Sequence, residues 1–169
     1  MKKNLILLGM MGVGKTTIGK IVAKKLDLEF IDTDANIEKN SSKKISDIFK
    51  QKGERFFRNI EEKEVFKSLK KKNCVIALGG GAFINKSVRE DILKNAISIW
   101  LDADLKILSK RTNRNTKRPL LDRGNNITRI SKLYSERKNI YKLADYKINC
   151  DKINKKSIVK KIIIFYEKH

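Results

Sequence analysis

A glycine-rich loop near the start of the chain limits the folds that the chain can adopt. Residues 9–16 read GMMGVGKT and match the pattern G-x-x-x-x-G-K-[ST] at every position, directly after the apolar run of residues 5–8. Glycines allow the backbone to turn successive N–H groups toward a phosphate, Lys15 adds a positive charge, and the Thr16 hydroxyl suits Mg²⁺. Helical spacing of apolar residues follows the loop, and a helix N-terminus favours anions. The sequence therefore predicts a nucleoside triphosphate site between a strand and a helix.

The rest of the chain alternates short apolar runs with longer amphipathic stretches. Strands are predicted at residues 5–8, 29–31, 74–78, 97–101 and 146–149. Apolar residues at helical spacing predict helices over residues 18–26, 54–71, 127–143 and 158–165, and a further helix that begins after Asp102 or Asp104 as its N-cap. Strands that alternate with helices predict an α/β domain with a mostly parallel sheet.

One long polar segment has no such periodicity. Residues 112–126 are polar and basic and contain Pro119, so we expect a loop there. Its length suits a functional segment such as a lid over a bound ligand.

The net charge of the chain raises a second functional possibility. Lys and Arg number 40 and Asp and Glu 19, an excess of 40 − 19 = 21 positive charges in 169 residues. Such an excess suggests nucleic acid or an anionic membrane as a partner. Lysine is, however, spread over most of the chain and only 7% of residues are aromatic, so neither a basic arm nor a stacking surface is indicated. We therefore expect no specific nucleic-acid partner and no membrane partner.

Length and cysteine content place the chain in an ordinary class. Its 169 residues fit a single domain, and no apolar stretch approaches the roughly 18 residues of a membrane span. Cys74 and Cys150 are too far apart in sequence for a C-x-x-C metal site and too few for a disulfide framework. We expect both to be structural residues in or near strands, in a cytoplasmic protein.

Polar groups follow two of the predicted strands at the point where each strand ends. Asp32 and Asp34 follow the second strand, and three glycines at 79–81 follow the third. A carboxylate beside Mg²⁺ can hold its waters, and a second one can accept the proton of an acceptor hydroxyl. Because no aspartate ends the third strand, Asp32 is the natural carboxylate for the metal. The alternative interpretation is that Asp32 and Asp34 are solvated residues of a turn and that the three glycines form a flexible turn.

Arginines supply candidate anion-binding groups. Arg58 and Glu61 lie three residues apart on a predicted helix, where Glu61 can hold the guanidinium toward a carboxylate or phosphate. A surface ion pair is the alternative. The predicted lid and its start contain three arginines, Arg111, Arg114 and Arg118. An arginine that closes over a triphosphate stabilises the negative charge of the phosphoryl group during its transfer.

Taken together, these motifs resemble those of the shikimate kinase family. The resemblance rests on GMMGVGKTT at 9–17, FIDTD at 30–34, Gly53-Glu54, Phe57-Arg58 with Glu61, LGGGA at 78–82, RPLL at 118–121, YSER at 134–137 and Tyr141. It covers nearly the whole chain, with the motifs in the order and spacing of the family, and is more specific than the phosphate loop alone.

The resemblance implies an enzyme that transfers the γ-phosphoryl group of ATP to the 3-hydroxyl of shikimate, on the route to chorismate and aromatic amino acids. It implies a P-loop fold of the nucleoside monophosphate kinase type: a five-stranded parallel sheet flanked by helices, with a substrate subdomain near residues 33–61 and a lid near residues 112–125. It also implies one kinase domain over residues 1–169, a monomer, and Mg²⁺ as cofactor.

The resemblance assigns residues to the ATP side of the site. Phosphate and adenine contacts would come from Gly12, Val13, Gly14, Lys15, Thr16, Thr17, Arg111 and Arg118. Within this set, Lys15 and Arg118 would neutralise the transferring phosphoryl group and Arg111 would stack on adenine. Thr16 would ligate Mg²⁺, and Asp32 would hold the metal through water.

The resemblance also assigns residues to the acceptor side. Asp34 would hydrogen-bond ring hydroxyls and act as, or orient, the base. Arg58 and Arg137 would bind the carboxylate of shikimate, and Gly80 and Gly81 would offer backbone N–H groups.

One region departs from the family pattern, and two other functions compete. Residues 151–155 read DKINK and lack the proline that the family often carries near adenine. A related kinase that acts on gluconate or a nucleoside monophosphate is the first alternative. A basic, nucleotide-dependent nucleic-acid-binding module is the second, and it needs the clustered charges and aromatics that the sequence does not show.

Overall fold

A parallel sheet brings the carboxyl ends of its strands to one edge. In the computed structural model of the chain, residues 3–113, 126–151 and 153–169 are described. Within these ranges the strands are β1 (Asn4–Leu8), β2 (Glu29–Asp32), β3 (Cys74–Ala77), β4 (Ala96–Asp102) and β5 (Tyr146–Asn149). They form a five-stranded sheet in the order β2-β3-β1-β4-β5, and each neighbouring pair is parallel. The predicted fold class is therefore confirmed.

Helices connect the strands and cover the sheet. They are α1 (Lys15–Leu26), α2 (Thr33–Ser41), α3 (Ile45–Leu69), α4 (Lys86–Asn95), α5 (Leu105–Asn113), α6 (Asn126–Tyr141) and α7 (Lys155–Glu167), with a short 3-10 helix at Ala82–Ile84. Every residue of the central strands β1 and β4 is buried, which explains why both read as continuous apolar runs. Trp100, Tyr141 and Tyr166 are the largest of the fully buried side chains in the core.

Two connections differ from the sequence-based prediction. The predicted helix over 54–71 begins earlier, at Ile45, and is interrupted at Gly53, whose φ of 79° is a left-handed conformation that glycine adopts without strain. The helix α2 was not predicted, because only Thr33 and Ile37 of its nine residues are buried and no apolar stripe marks it. The helix α4 was missed for the same reason, since its buried residues are Val88 and Ile92.

The expectations for the cap of α5, the two cysteines, a membrane span and the polar segment at 112–126 can be compared with the structure. Asp104, not Asp102, caps α5, because its carboxylate accepts from the Lys106 N–H at 2.8 Å. Cys74 is buried in β3 and Cys150 directly follows β5, and both are free thiols, as expected for structural cysteines. None of the helices in the described residues is long and apolar enough to cross a bilayer. Most of the predicted loop at 112–126, with Arg114, Arg118 and Pro119, lies outside the described residues.

Candidate active site

The phosphate loop connects β1 to α1 with a backbone that depends on glycine. Gly9, Gly12 and Gly14 have φ angles of 137°, 80° and 105°, which side-chain-bearing residues rarely adopt. A Cβ on Gly9 would overlap the carbonyl oxygen of Leu101 in β4, so this glycine also allows close packing against the sheet. The loop therefore closes tightly at the N-terminus of α1, where backbone N–H groups attract anions.

Lys15 lies over this loop at the start of α1. Its Nζ donates to the carbonyl oxygens of Gly9 at 2.8 Å and Met10 at 3.1 Å. Lys15, Thr16 and Thr17 line the same cleft as Gly12 and Gly14. The loop thus places a cation and two hydroxyls beside an anion-binding backbone.

Thr16 and Asp32 form a pair of oxygen donors at the carboxyl end of β2. The Thr16 hydroxyl donates to Asp32 Oδ2 at 2.6 Å, while Asp32 Oδ1 accepts from the Ala35 N–H at 3.2 Å and so caps α2. Hydroxyl and carboxylate oxygens are the ligands that Mg²⁺ prefers, and this ion usually keeps several waters and substrate phosphates as well. In the described residues no group of three or more His, Cys, Asp or Glu could hold a metal. The oxygens of Thr16 and Asp32 therefore have the chemistry that suits a Mg²⁺ ion whose other ligands are waters and phosphates.

Gly79 makes room for two carboxylates on the acceptor side of the cleft. A Cβ at this position would overlap Asp34 Oδ1 and come within 2.7 Å of Glu61 Oε1. The Gly79 N–H donates to the hydroxyl of Thr33 at 3.0 Å. This hydrogen bond connects the first residue of α2 to the segment that follows β3. Asp34, in the first turn of α2, is thereby held beside the glycine segment.

Arg58 and Glu61 form the ion pair that their spacing predicted. Arg58 Nη1 lies 2.7 Å from Glu61 Oε2, and Nη2 lies 3.0 Å from Glu54 Oε1. Burial alone lowers the pKa of Arg58, but the charges and hydrogen bonds of Glu61 and Glu54 outweigh it, so the pKa is raised. Burial raises the pKa of Glu61, which is only 3% exposed, and Arg58 and Arg137 counter this in part. The ion pair is therefore partly buried. The alternative interpretation, a solvated ion pair on the surface, is wrong.

Arg137 reaches the cleft from α6. It is 6% exposed, and its Nη1 donates to the carbonyl oxygen of Gly80 at 3.2 Å. The Tyr141 hydroxyl, one helical turn further along α6, donates to the same carbonyl oxygen. The guanidinium of Arg58 lies against Gly81, where a Cβ would overlap it. Two arginines from different helices thus converge on the glycine segment.

A single cleft of about 480 Å³ joins these groups. The sequence-predicted residues that line it are Gly12, Gly14, Lys15, Thr16, Thr17, Asp32, Asp34, Arg58, Gly80, Gly81, Arg111 and Arg137. Arg111 also donates from Nη1 to the Gly12 carbonyl at 3.3 Å. Val13 is buried and does not line the cleft, and Arg118 lies outside the described residues.

Sequence reasoning missed an apolar wall of the cleft. Ile45, Phe49 and Phe57 line it from α3, on the side of Arg58. Phe57 was used only as an apolar residue at helical spacing and as part of a family motif, and nothing in its local pattern distinguishes a cleft wall from a core. No helix or strand was predicted for residues 45–52, which were assigned only to the substrate subdomain near residues 33–61.

Comparison with known proteins identifies the family of this arrangement. The family model described as shikimate kinase matches residues 11–167. The chain belongs to the shikimate kinase family. The shikimate kinase of Sulfurihydrogenibium sp. (strain YO3AOP1) is 41% identical over 161 residues, covering 95% of this chain and 96% of that protein. The shikimate kinase of Bartonella quintana (strain Toulouse) is 43% identical over 162 residues, covering 96% of this chain and 77% of that protein.

Solved structures agree with this family. A shikimate kinase from Acinetobacter baumannii in complex with shikimate superposes with a TM-score of 0.95 at 31% identity, covering 99% of this chain and 94% of that one. A gluconokinase from Sinorhizobium meliloti, at 14% identity and a TM-score of 0.58, shares the fold alone. Membership of the shikimate kinase family confirms the predicted class, an ATP-dependent kinase with an alcohol acceptor, and does not favour the gluconate or nucleotide alternative.

Proposed function

We propose that this chain transfers the γ-phosphoryl group of ATP to the 3-hydroxyl of shikimate, giving shikimate 3-phosphate and ADP. One observation carries the proposal: a single cleft contains a phosphate loop on one side and a carboxylate with two arginines on the other. Shikimate is a small carboxylate with several hydroxyls, so it matches the second set of groups. The family membership of the chain supports the same acceptor.

On the ATP side, the loop and Lys15 bind the β- and γ-phosphates. The N–H groups at the start of α1 approach the phosphate oxygens, and the Lys15 ammonium, now on two loop carbonyls, moves to the phosphates when they arrive. Thr17 completes the phosphate contacts, and Arg111 stacks on adenine. Arg118 from the lid adds a second charge on the transferring group.

Mg²⁺ is part of the proposal, with Thr16 as its ligand and Asp32 as the holder of a bound water. The Thr16 hydroxyl, which donates to Asp32 Oδ2 at 2.6 Å, would turn its oxygen to the ion when the ion is bound. Bound there, Mg²⁺ neutralises charge on the β- and γ-phosphates. An expected consequence is that Asp32→Asn raises the Mg²⁺ concentration for half-maximal rate, measured by titration of Mg²⁺ at saturating ATP and shikimate.

On the acceptor side, Arg58 and Arg137 bind the carboxylate of shikimate. A guanidinium presents two parallel N–H groups to a carboxylate, and Glu61 and Glu54 fix the plane of Arg58 for that fork. Gly80 and Gly81 offer backbone N–H groups, because no side chain separates them from the ligand. The apolar wall of Ile45, Phe49 and Phe57 contacts the carbon ring.

Asp34 then receives the proton of the reacting hydroxyl. Its carboxylate lies beside Gly79 in the first turn of α2, within the same cleft as Lys15. The oxygen of the acceptor forms a bond to the γ-phosphorus, the bond to the β-phosphate oxygen breaks, and the hydroxyl proton passes to Asp34. Little covalent chemistry is asked of the protein, because phosphoryl transfer depends mainly on positioning and charge.

The proposal retains several sequence-based predictions about domains, oligomeric state, location and partners. Residues 33–61 serve as the substrate subdomain and residues 112–125 as the lid of one kinase domain. A monomer in the cytoplasm without a specific nucleic-acid partner also stays a prediction, and sedimentation at assay concentration checks the oligomeric state.

A coupled assay of ADP release tests the proposal with shikimate, gluconate and AMP side by side. We expect turnover with shikimate that requires both ATP and Mg²⁺, and rates near background with the other two. Turnover with gluconate or AMP and none with shikimate would refute it.

A further inference from the structure

The carbonyl group of Gly80 is held by two donors from one helix. The Tyr141 hydroxyl and Arg137 Nη1 both donate to its oxygen, the second at 3.2 Å. Gly80 and Gly81 line the cleft, but Tyr141 does not, since its side chain is 1% exposed within the core. Arg137 lines the cleft and Tyr141 lies beneath it, so the carbonyl points toward α6 and its oxygen reaches the protein interior at Tyr141.

This orientation fixes the N–H of the next residue. The peptide bonds of the described residues contain no cis isomer, and in a trans peptide unit the C=O and N–H groups point in opposite directions. Because the Gly80 carbonyl points at Tyr141, the N–H of Gly81 points away from Tyr141, and Gly81 itself lines the cleft. A rotation of this peptide unit would instead turn an oxygen toward the acceptor, and a carbonyl oxygen repels a carboxylate.

Glycines on both sides of this unit make such a rotation easy unless something prevents it. The two hydrogen bonds on the Gly80 carbonyl restrain this peptide unit directly, while the flanking carbonyls of Gly79 and Gly81 accept from the N–H groups of Ala82 and Ile84. Of the two donors, Arg137 is also the group that the carboxylate of the acceptor attracts, so its bond to Gly80 competes with ligand binding. Tyr141 does not line the cleft, so the acceptor does not compete for its hydroxyl.

The phenol of Tyr141 is held rigidly enough to act as that restraint. Its ring packs against Trp100 with centroids 5.8 Å apart, and its oxygen lies 3.9 Å from the Met10 sulfur in the phosphate loop. Burial raises the pKa of Tyr141, and Arg137 counters this in part, so the hydroxyl keeps its proton and donates throughout the neutral range.

We propose that Tyr141 is a positioning residue for the acceptor: its hydroxyl holds the Gly80 carbonyl out of the cleft, directs the Gly81 N–H into it, and leaves Arg137 available for the carboxylate. The inference rests on the proposed function, because it takes shikimate as that acceptor. It predicts that the hydroxyl affects the acceptor more than ATP.

The test compares Tyr141→Phe with Tyr166→Phe. Both variants remove one phenol oxygen from a buried ring, but Tyr166 donates to the Lys3 carbonyl at 2.8 Å, next to the first residue of β1 and far from the cleft. Each variant is assayed for the KM of shikimate, the KM of ATP and the melting temperature. Loss of one neutral hydrogen bond predicts a rise of about three- to tenfold in the shikimate KM of Tyr141→Phe. Its ATP KM and both constants of Tyr166→Phe should stay unchanged.

The outcomes separate this inference from the proposed function. An unchanged shikimate KM in Tyr141→Phe overturns the inference, as does an equal rise in both KM values or the same rise in Tyr166→Phe. These results leave the proposed function standing when the unmodified chain phosphorylates shikimate. Absence of shikimate turnover in the unmodified chain refutes the proposed function and, with it, this inference.

Discussion

The two sides of the cleft are built in different ways. The phosphate side is one run of consecutive residues, 9–17, whose shape depends on glycines with positive φ and on the start of α1. The acceptor side is assembled from α2, α3, α6 and the glycine segment after β3, which are far apart in sequence. Local backbone conformation therefore determines the first, whereas the order of the parallel sheet and the packing of its helices determine the second.

The positive charges of the two sides are also held differently. Lys15 rests on carbonyl oxygens of its own loop, while Arg58 is held by the carboxylates of Glu61 and Glu54. Flexible contacts with backbone suit a lysine that moves to an arriving phosphate. A guanidinium held by carboxylates presents a fixed fork, which suits recognition of a small acid. Substitutions on the two sides should accordingly affect different kinetic constants.

The largest effect is expected on the phosphate side. Lys15→Ala should lower kcat by about 10²- to 10³-fold, because it removes a charge aimed at the transferring phosphoryl group. Steady-state ADP release measures this, with Lys20→Ala, an exposed lysine of α1, as the control that should keep its rate. A wild-type rate in Lys15→Ala would mean that the loop is not catalytic.

The second-largest effect is expected on the acceptor side, in the KM of shikimate rather than that of ATP. Arg58→Ala should raise the KM of shikimate by about 10- to 100-fold, the range for a hydrogen bond to a charged group, with little change for ATP. Arg58→Lys keeps a charge beside Glu61 but loses the fork, so an intermediate value is expected. Arg55→Ala, on the same helix and exposed, is the control. An equal loss for both substrates would make Arg58 a structural residue.

A smaller effect should follow from filling the space at Gly79. In Gly79→Ala the new methyl group displaces the carboxylates of Asp34 and Glu61, so the KM of shikimate should rise by about tenfold, equivalent to roughly 1.4 kcal/mol. The ATP KM should stay near its original value, as measured in the same coupled assay. Unchanged shikimate kinetics would show that the positions of these carboxylates are not critical.

The smallest effect tests whether helix packing maintains the acceptor side. Glu64 in α3, 7% exposed, accepts from Asn36 Nδ2 of α2 at 2.8 Å. Asn36→Ala should lower the free energy of unfolding by about 1 kcal/mol and raise the shikimate KM about twofold, because α2 carries Asp34. Urea unfolding measures the first, with exposed Asn59→Ala as the control. A rise in the KM of ATP alone would contradict the separation of the two sides.

The phosphate side is formed by consecutive residues and the acceptor side by distant ones, and this difference explains which features the sequence could predict. Residues 5–8 and 9–16 form a contiguous strand and loop, so their structure could be predicted from the pattern alone, and phosphate binding by the loop stays a prediction from the same pattern. The Arg58–Glu61 pair was also predicted, because helical spacing makes residues three apart neighbours. Its burial was not predictable, since burial depends on the packing of α2 against α3 and on the glycine segment after β3.

Long-range contacts could not be inferred from local patterns. Arg137 was placed on the acceptor side only through the resemblance to a family, because nothing in its helix distinguishes it from exposed basic neighbours. The helix α2 was missed, since its register is set by the Asp32 cap and by contacts with α3 rather than by an apolar stripe. Most of the 21 excess positive charges have no assigned role, and the cleft accounts only for Lys15, Arg58, Arg111 and Arg137 among the described residues.

The position of the new phosphate ester tests the central claim most directly. A ¹H–³¹P correlation spectrum of the reaction with ATP, Mg²⁺ and shikimate should show the product phosphorus coupled to the proton on carbon 3 of the ring, with one ADP formed for each ester. An ester on another carbon, or ATP hydrolysis that yields only inorganic phosphate, would contradict the account.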